Sequence, residues 1–208
     1  MQSRRAQIAS QWIEVQMPKG AEAVSGFRSW PAFLYACLLE GDRDVVSFRS
    51  TDLVALHYKY GAGKHTLSPD LLVTEIHRRV VVVISGNEDG TLHPAAEEAL
   101  TNWCDAHSFV FRCISSTAIE GRWVEALNWF RITRWLPDAT NNMRKDLDHL
   151  EHLVRTLNGP TIGVMSRHLS TLPRDTLQAF VAELLHNHVV SADLASMPIT
   201  WGTRLFPA

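Results

Sequence analysis

The stretch that decides the fold is His65-Thr-Leu-Ser-Pro-Asp-Leu-Leu-Val-Thr-Glu-Ile-His-Arg-Arg-Val-Val-Val-Val-Ile-Ser-Gly86. Two apolar runs, Leu71 to Val73 and Val80 to Ile84, flank a polar turn around His77 to Arg79. Unbroken runs of β-branched residues predict strands buried on both faces. The two runs are therefore expected to form a hairpin at the centre of an α/β core. Pro69 has a fixed φ and no N–H, so it belongs at a strand start. That puts Asp70 at the mouth of the sheet.

Upstream, Ser29 is a fair N-cap and Pro31 suits a first turn, so residues 31 to 40 predict a helix ended by Gly41. Asp44 to Arg49 and Leu53 to Tyr60 predict strands, with a turn at Gly61-Ala-Gly63. Residues 1 to 26 form a weakly patterned arm broken at Met17-Pro-Lys-Gly20; it either wraps a neighbour or stays disordered. Downstream, Ala95, Ala99, Leu100 and Trp103 give helical spacing over Pro94 to His107. Phe109 to Ile114 predicts a strand and Thr117 to Trp135 one helix. This order fits a mixed sheet with flanking helices. Trp123, Trp129 and Trp135 are expected in core or domain-interface packing.

The pattern changes at Leu136-Pro-Asp-Ala-Thr140. The expected organisation is an arm over 1–26, an α/β domain over 27–137 and a second domain over 138–208. In the last region, residues 141 to 157 predict a helix with Met143, Leu147, Leu150, Val154 and Leu157 on one face. Asn158-Gly-Pro160 stops it. A short helix over 161–169 follows, then a helix from Pro173 to His186. His188 to Leu194 predicts a strand, with Ile199 to Leu205 returning beside it. Three helices and a two-stranded ribbon make a winged-helix pattern.

Composition narrows the function classes. The chain has 208 residues, enough for one large domain or two small ones. Its formal net charge of −2 gives no overall basic field, so contact with nucleic acid must come from local patches. Cys37, Cys104 and Cys113 show no metal-binding spacing and are expected as free thiols of a cytoplasmic protein. No apolar run approaches the roughly 20 residues that span a bilayer. The start, Met1 to Arg5, has no signal-like apolar region, and no membrane partner is expected.

A Pro-Asp at one strand start and a Glu-x-Lys on the next strand is a frame used by metal-dependent nucleases. Its carboxylates hold Mg²⁺ and its lysine orients the attacking water. Four segments carry a more specific likeness: Phe33 to Phe48, Ser68-Pro-Asp-Leu-Leu-Val73, Arg79 to Gly86, and Leu184 to Leu194 with Pro198, Ile199 and Thr203. In order and spacing the chain resembles the TnsA family, the endonuclease subunit of heteromeric transposases, over nearly its whole length. The resemblance implies a restriction-endonuclease-like α/β N-terminal domain and a C-terminal winged helix. It implies DNA, a TnsB-like transposase and a TnsC-like ATPase regulator as partners.

The departures from the family matter more. Its first catalytic Glu lies three residues after a Ser and six before a Leu-Leu; counted from Ser29 and from Leu38, that position is Ala32. The second carboxylate position is Asp70, which is retained. The third, a Glu in the family, is Ile84, and the lysine position is Gly86. The implied protein is a nuclease-dead subunit that bridges DNA ends or regulates its partners and needs no cofactor. Such a system would leave 5′ ends joined and yield cointegrates. One alternative is a divergent, Mg²⁺-dependent endonuclease with relocated ligands; another is a domesticated DNA-binding regulator.

Asp70 alone reads as a remnant catalytic ligand, or as a strand-start cap paired with Lys64 or an arginine. Glu75, Glu88 and Asp89 are candidates for a relocated ligand. His57, His65 and His77 have no regular ligand spacing. In the last domain, Arg174, Thr176 and Gln178 occupy the first turns of the expected recognition helix, and Arg167 lies just before it. From residue 141 onward six Lys/Arg balance six Asp/Glu, so protein contact stays open beside DNA contact.

Overall fold

The computed structural model describes residues 13–21, 25–51, 55–136 and 144–208. Most of the expected arm, the strand start at Leu53, the boundary beyond Leu136 and Met143 lie outside the described residues. The chain is a mixed α/β protein that divides into two compact units, Met1–Gly121 and Arg122–Ala208.

The first unit is built on β3 (Val45–Ser50), β6 (Leu71–Glu75), β7 (Arg79–Ser85) and β8 (Val110–Ser115), in the order β3-β6-β7-β8. The β3–β6 and β6–β7 pairs are antiparallel, and β8 runs parallel to β7. The expected hairpin is thus β6–β7, with Leu71 opposite Val82 and Val73 opposite Val80. Val80 to Val83 are all buried, as an unbroken β-branched run requires when both faces are covered. Alternation puts Leu71, Val73, Val80, Val82, Ile84 and Arg112 on one face and Leu72, Val81, Val83 and Phe111 on the other.

Helix α1 (Trp30–Glu40) covers the first of these faces, where Arg112 donates to the Tyr35 hydroxyl at 3.4 Å. Ser29 caps it by accepting the Ala32 N–H at 3.2 Å, and Pro31 enters its first turn. Every side chain from Ala32 to Glu40 is buried, so beyond its first-turn residues Trp30 and Pro31 this is a core helix with no solvent face. Helix α2 (Pro94–His107) lies on the second face, where Leu100 and Cys104 pack with Val81 and Val83. Its bounds match the sequence expectation. His93 caps its start, and Ser108, in the left-handed region at φ 58°, caps its end.

Three sequence expectations are corrected in this unit. The strand ending at Tyr60 is β4 (Leu56–Tyr60), and it pairs with a strand the sequence did not suggest, β5 (Gly63–Leu67). The end of the arm is not free: β1 (Ile13–Val15) pairs with β2 (Ser25–Phe27), Met17 is buried, and the Lys19 N–H reaches the buried Glu40 carboxylate at 2.9 Å. The helix expected over Thr117 to Trp135 is two helices, α3 (Ser116–Glu120) and α4 (Trp123–Trp135), broken at Gly121-Arg122.

Helix α4 opens the second unit rather than closing the first. Its Trp129 and Ile132 belong to a core with residues of α5 (Arg144–Thr156), α6 (Ile162–His168) and α7 (Arg174–His186). Trp135 packs against that core, while Trp123 is 52% exposed. The apolar stripe of α7, Leu177, Phe180, Val181, Leu184 and Leu185, is fully buried. The ribbon is shorter than expected: β9 (Val190–Ser191) pairs antiparallel with β10 (Phe206–Pro207), not with Ile199 to Leu205. Asn128 of α4 holds the inner ends of both expected strands. Its amide donates to the Leu194 and Met197 carbonyls, both at 2.8 Å, and its oxygen accepts the Ile199 N–H at 2.8 Å. A buried side chain with three bonds fixes 194–199 as a loop. The ends of this stretch are tied down too, with a Thr161–Arg204 bridge and the Gly163 N–H on the Trp201 carbonyl at 2.8 Å.

Candidate functional site

Four positions were singled out at the sheet mouth, and two of them meet. One Asp70 carboxylate oxygen accepts the backbone N–H of Ile84 at 2.7 Å. The Asp70 main chain is also committed: its N–H donates to the Val82 carbonyl at 2.9 Å, and its carbonyl accepts the Thr51 N–H at 3.2 Å. The Thr51 hydroxyl donates to the Pro69 carbonyl. Proline at the strand start thus hands the ladder over to Asp70, whose side chain ties β6 to the end of β7. Burial pushes the Asp70 carboxyl above its usual range, against the Ile84 hydrogen bond and the positive charge of Arg28. Arg28 directly precedes Ser29, the cap of α1. Lys64, one expected partner, makes no ion pair with Asp70; Arg28 fills that role electrostatically.

The three other positions differ from one another. Ala32, one turn into α1, is 2% exposed. Ile84 is half-buried on the α1 side of the sheet. Gly86 is exposed, and a Cβ built there meets nothing within 4 Å. None of these side chains offers a ligand or a proton.

The candidates for a relocated ligand have other partners. Glu75 is buried between two arginines, accepting from Arg78 at 2.6 Å and from Arg112 at 2.7 Å. Burial works against its charge, but these bonds outweigh it and hold the carboxyl below its usual range. Asp89 accepts both the Thr91 hydroxyl, at 2.7 Å, and the Thr91 N–H, at 3.0 Å, which holds its carboxyl low and closes a loop turn. Glu88 is exposed in the same loop. The half-buried Cys113 thiol is raised by burial first and then by the negative charges of Glu97, Asp70 and Asp89. The Ile114 backbone hydrogen bond works in the opposite direction, and Glu97 of α2 is an acidic neighbour the sequence reading missed. Among the described residues, no three His, Cys, Asp or Glu side chains are grouped to hold a metal ion. His57 bonds the Thr66 hydroxyl at 3.0 Å, His65 stacks on Tyr58, and His77 is exposed.

In the second unit, Pro173 precedes α7 as expected, and Arg174 and Asp175 are exposed in its first turn. The Arg174 guanidinium lies 5.7 Å from the centre of the Trp201 ring, a cation–π contact. Arg167 is exposed in the last turn of α6. Thr176 and Gln178 are half-buried, and Gln178 lines a cleft of about 380 Å³ with Arg131, Trp135, Ile162, Ile199, Thr200 and Trp201. Arg131 donates to the Ile199 carbonyl at 2.9 Å, so one wall of the cleft is held from α4. The four residues therefore divide: two arginines reach solvent, and two polar side chains face the fold.

No model of a known protein family matches the chain, and comparison with curated proteins finds no relative. Among the described residues, no helix is long and apolar enough to cross a membrane.

Proposed function

We propose that this protein is a TnsA-like subunit of a heteromeric DNA transposition complex that has lost its nuclease chemistry. In this reading it acts as a DNA-bridging or regulatory partner of a TnsB-like transposase and a TnsC-like ATPase. One observation carries the proposal. The Asp70 carboxylate meets the backbone N–H of Ile84, fourteen residues on, in a mixed sheet, and the resemblance puts a catalytic carboxylate at each of these positions. Only one carboxylate remains, and it is hydrogen-bonded to the backbone of the position that lost its partner.

Further features support the same reading. The first unit presents a capped core helix, an antiparallel hairpin and a parallel fourth strand, compatible with a restriction-endonuclease-like core. The second unit ends in three helices and a short ribbon, which is compatible with a winged helix whose recognition helix is α7. A Mg²⁺ site would need ligands beyond Asp70, because one monodentate oxygen holds the ion poorly. Relocated ligands are the competing reading, but among the described residues no three His, Cys, Asp or Glu side chains are grouped to hold a metal ion.

The proposal is tested by binding without cutting. Labelled duplex DNA should bind the protein, and an Arg167→Ala, Arg174→Ala double variant should bind it more weakly at every sequence tried. A protein that ignores duplex DNA at low salt would refute the reading.

A further inference from the structure

The hairpin β4–β5 stands apart from the main sheet and ends two residues before Pro69-Asp70. Its two faces are chemically opposite. One face carries Leu56, Leu67, Tyr58, His65 and Tyr60. Leu56 and Leu67 pack against the α2 side of the core. Above them Tyr58 stacks on His65 at 5.4 Å between ring centres, and Tyr60 meets His93, the α2 cap, at 3.9 Å. Gly63 makes room for this, since a Cβ there would lie 2.8 Å from the His65 ring. This face ties the hairpin to α2 through Leu56, Leu67 and Tyr60, and Tyr60 stays 56% exposed.

The other face carries His57, Thr66, Lys59 and Lys64, all exposed. Lys59 and Lys64 are direct cross-strand partners. Like charges opposite one another weaken a ladder, so this pair works against the hairpin that holds it. No relief comes from within: residues 55 to 69 contain no Asp or Glu, and among the described residues no carboxylate pairs with either lysine. A face that carries paired lysines and no carboxylate is complementary to an anionic polymer.

We propose that the solvent face of the β4–β5 hairpin is a nucleic-acid contact, with Lys59 and Lys64 together binding the phosphate backbone of duplex DNA. The face contains no apolar side chain that could enter a bilayer, which favours DNA over an anionic membrane. Neutralising two phosphates adds binding without sequence preference. Lys59 and Lys64 lie at the turn end of the hairpin, whose root leads along the chain into Pro69-Asp70. This inference rests on the DNA-binding reading above and adds where the first unit touches DNA.

The experiment is a salt titration of duplex binding by fluorescence anisotropy, comparing the full chain with its Lys59→Gln, Lys64→Gln double variant. Each lost phosphate contact should flatten the log K against log salt slope by about 0.9, so the variant should be shallower by about 1.8. In a second measurement, wild-type protein is acetylated with and without DNA and the lysines are read by mass spectrometry; DNA should shield Lys59 and Lys64. That readout decides the matter even if the variant folds poorly. Binding with an unchanged slope and no shielding would overturn the hairpin contact while leaving the DNA reading intact. No binding by the wild type would overturn both. Phosphatidylserine vesicles that bind the wild type and not the variant, with DNA binding unaffected, would assign the face to a membrane and overturn the proposal.

Discussion

Replacing Asp70 separates a structural carboxylate from a catalytic one. Burial raises the Asp70 carboxyl, so the folded protein holds its proton more tightly than the unfolded chain does. Between the usual value of 3.8 and the raised folded value, folding takes up a proton, and stability falls as the pH rises through that window. At neutral pH the charged form is therefore a net burden, only partly relieved by the Ile84 N–H and Arg28. Asp70→Asn keeps an acceptor oxygen for Ile84 and discards the charge. It should melt at or above the wild-type temperature at pH 7, with the difference shrinking as the pH falls toward 4. Asp70→Ala also removes the acceptor and leaves a partly buried N–H unsatisfied, at a cost of about 1–3 kcal/mol. For a chain of this length each kcal/mol moves Tm by about 2–4 °C, so the alanine variant should melt about 2–12 °C below the asparagine variant. The assay is differential scanning fluorimetry at several pH values, with and without millimolar Mg²⁺. The reasoning is refuted if Asp70→Asn melts well below wild type at pH 7 and Mg²⁺ raises Tm of the wild type alone. That result would mean the carboxylate is kept for a metal.

Two further outcomes follow from the same packing. Asn128→Ala removes three hydrogen bonds from a buried site and should cost about 2–4 kcal/mol in urea unfolding, with faster proteolysis between Asp193 and Trp201. Glu75→Gln should lower Tm at pH 7 by weakening bonds to Arg78 and Arg112. Because the folded Glu75 carboxyl is held low, its contribution is present above about 4.5 and is lost as the pH falls through the lowered value, so wild type and variant should converge in acid.

The parts of this molecule that were legible in the sequence are those where one physical signal dominates. Val80 to Val83 could only be a doubly buried strand, and Pro69 fixed where its partner began. Pro94 to His107 carried both a proline start and a clean apolar stripe. Strand β5 was hidden because Gly63-Lys-His-Thr-Leu67 has one β-branched residue and owes its order to rings on its partner strand and on α2. The break between α3 and α4 hung on Gly121, and glycine alone does not reveal whether a helix stops. The grouping of α4 was misread for a different reason: Trp129 and Ile132 look equally apolar toward either unit, and only their packing partners decide. The ribbon was misplaced because Asn128, sixty-six residues before Leu194, holds Leu194 and Ile199, the two ends that the apolar pattern assigned to strands. At the candidate site, the strand-start place of Asp70 was legible from Pro69, whereas Ile84 was singled out by the resemblance. Arg28 and Glu97 were not, since both act through the ends of helices whose placement only the fold supplies.

The claim at the centre is that the sheet mouth binds no catalytic metal. It is tested most directly by incubating supercoiled plasmid with the purified protein in Mg²⁺ and in Mn²⁺, with Asp70→Ala run alongside. The account predicts intact plasmid in every lane. Metal-dependent nicking by the wild type that disappears in Asp70→Ala would contradict it.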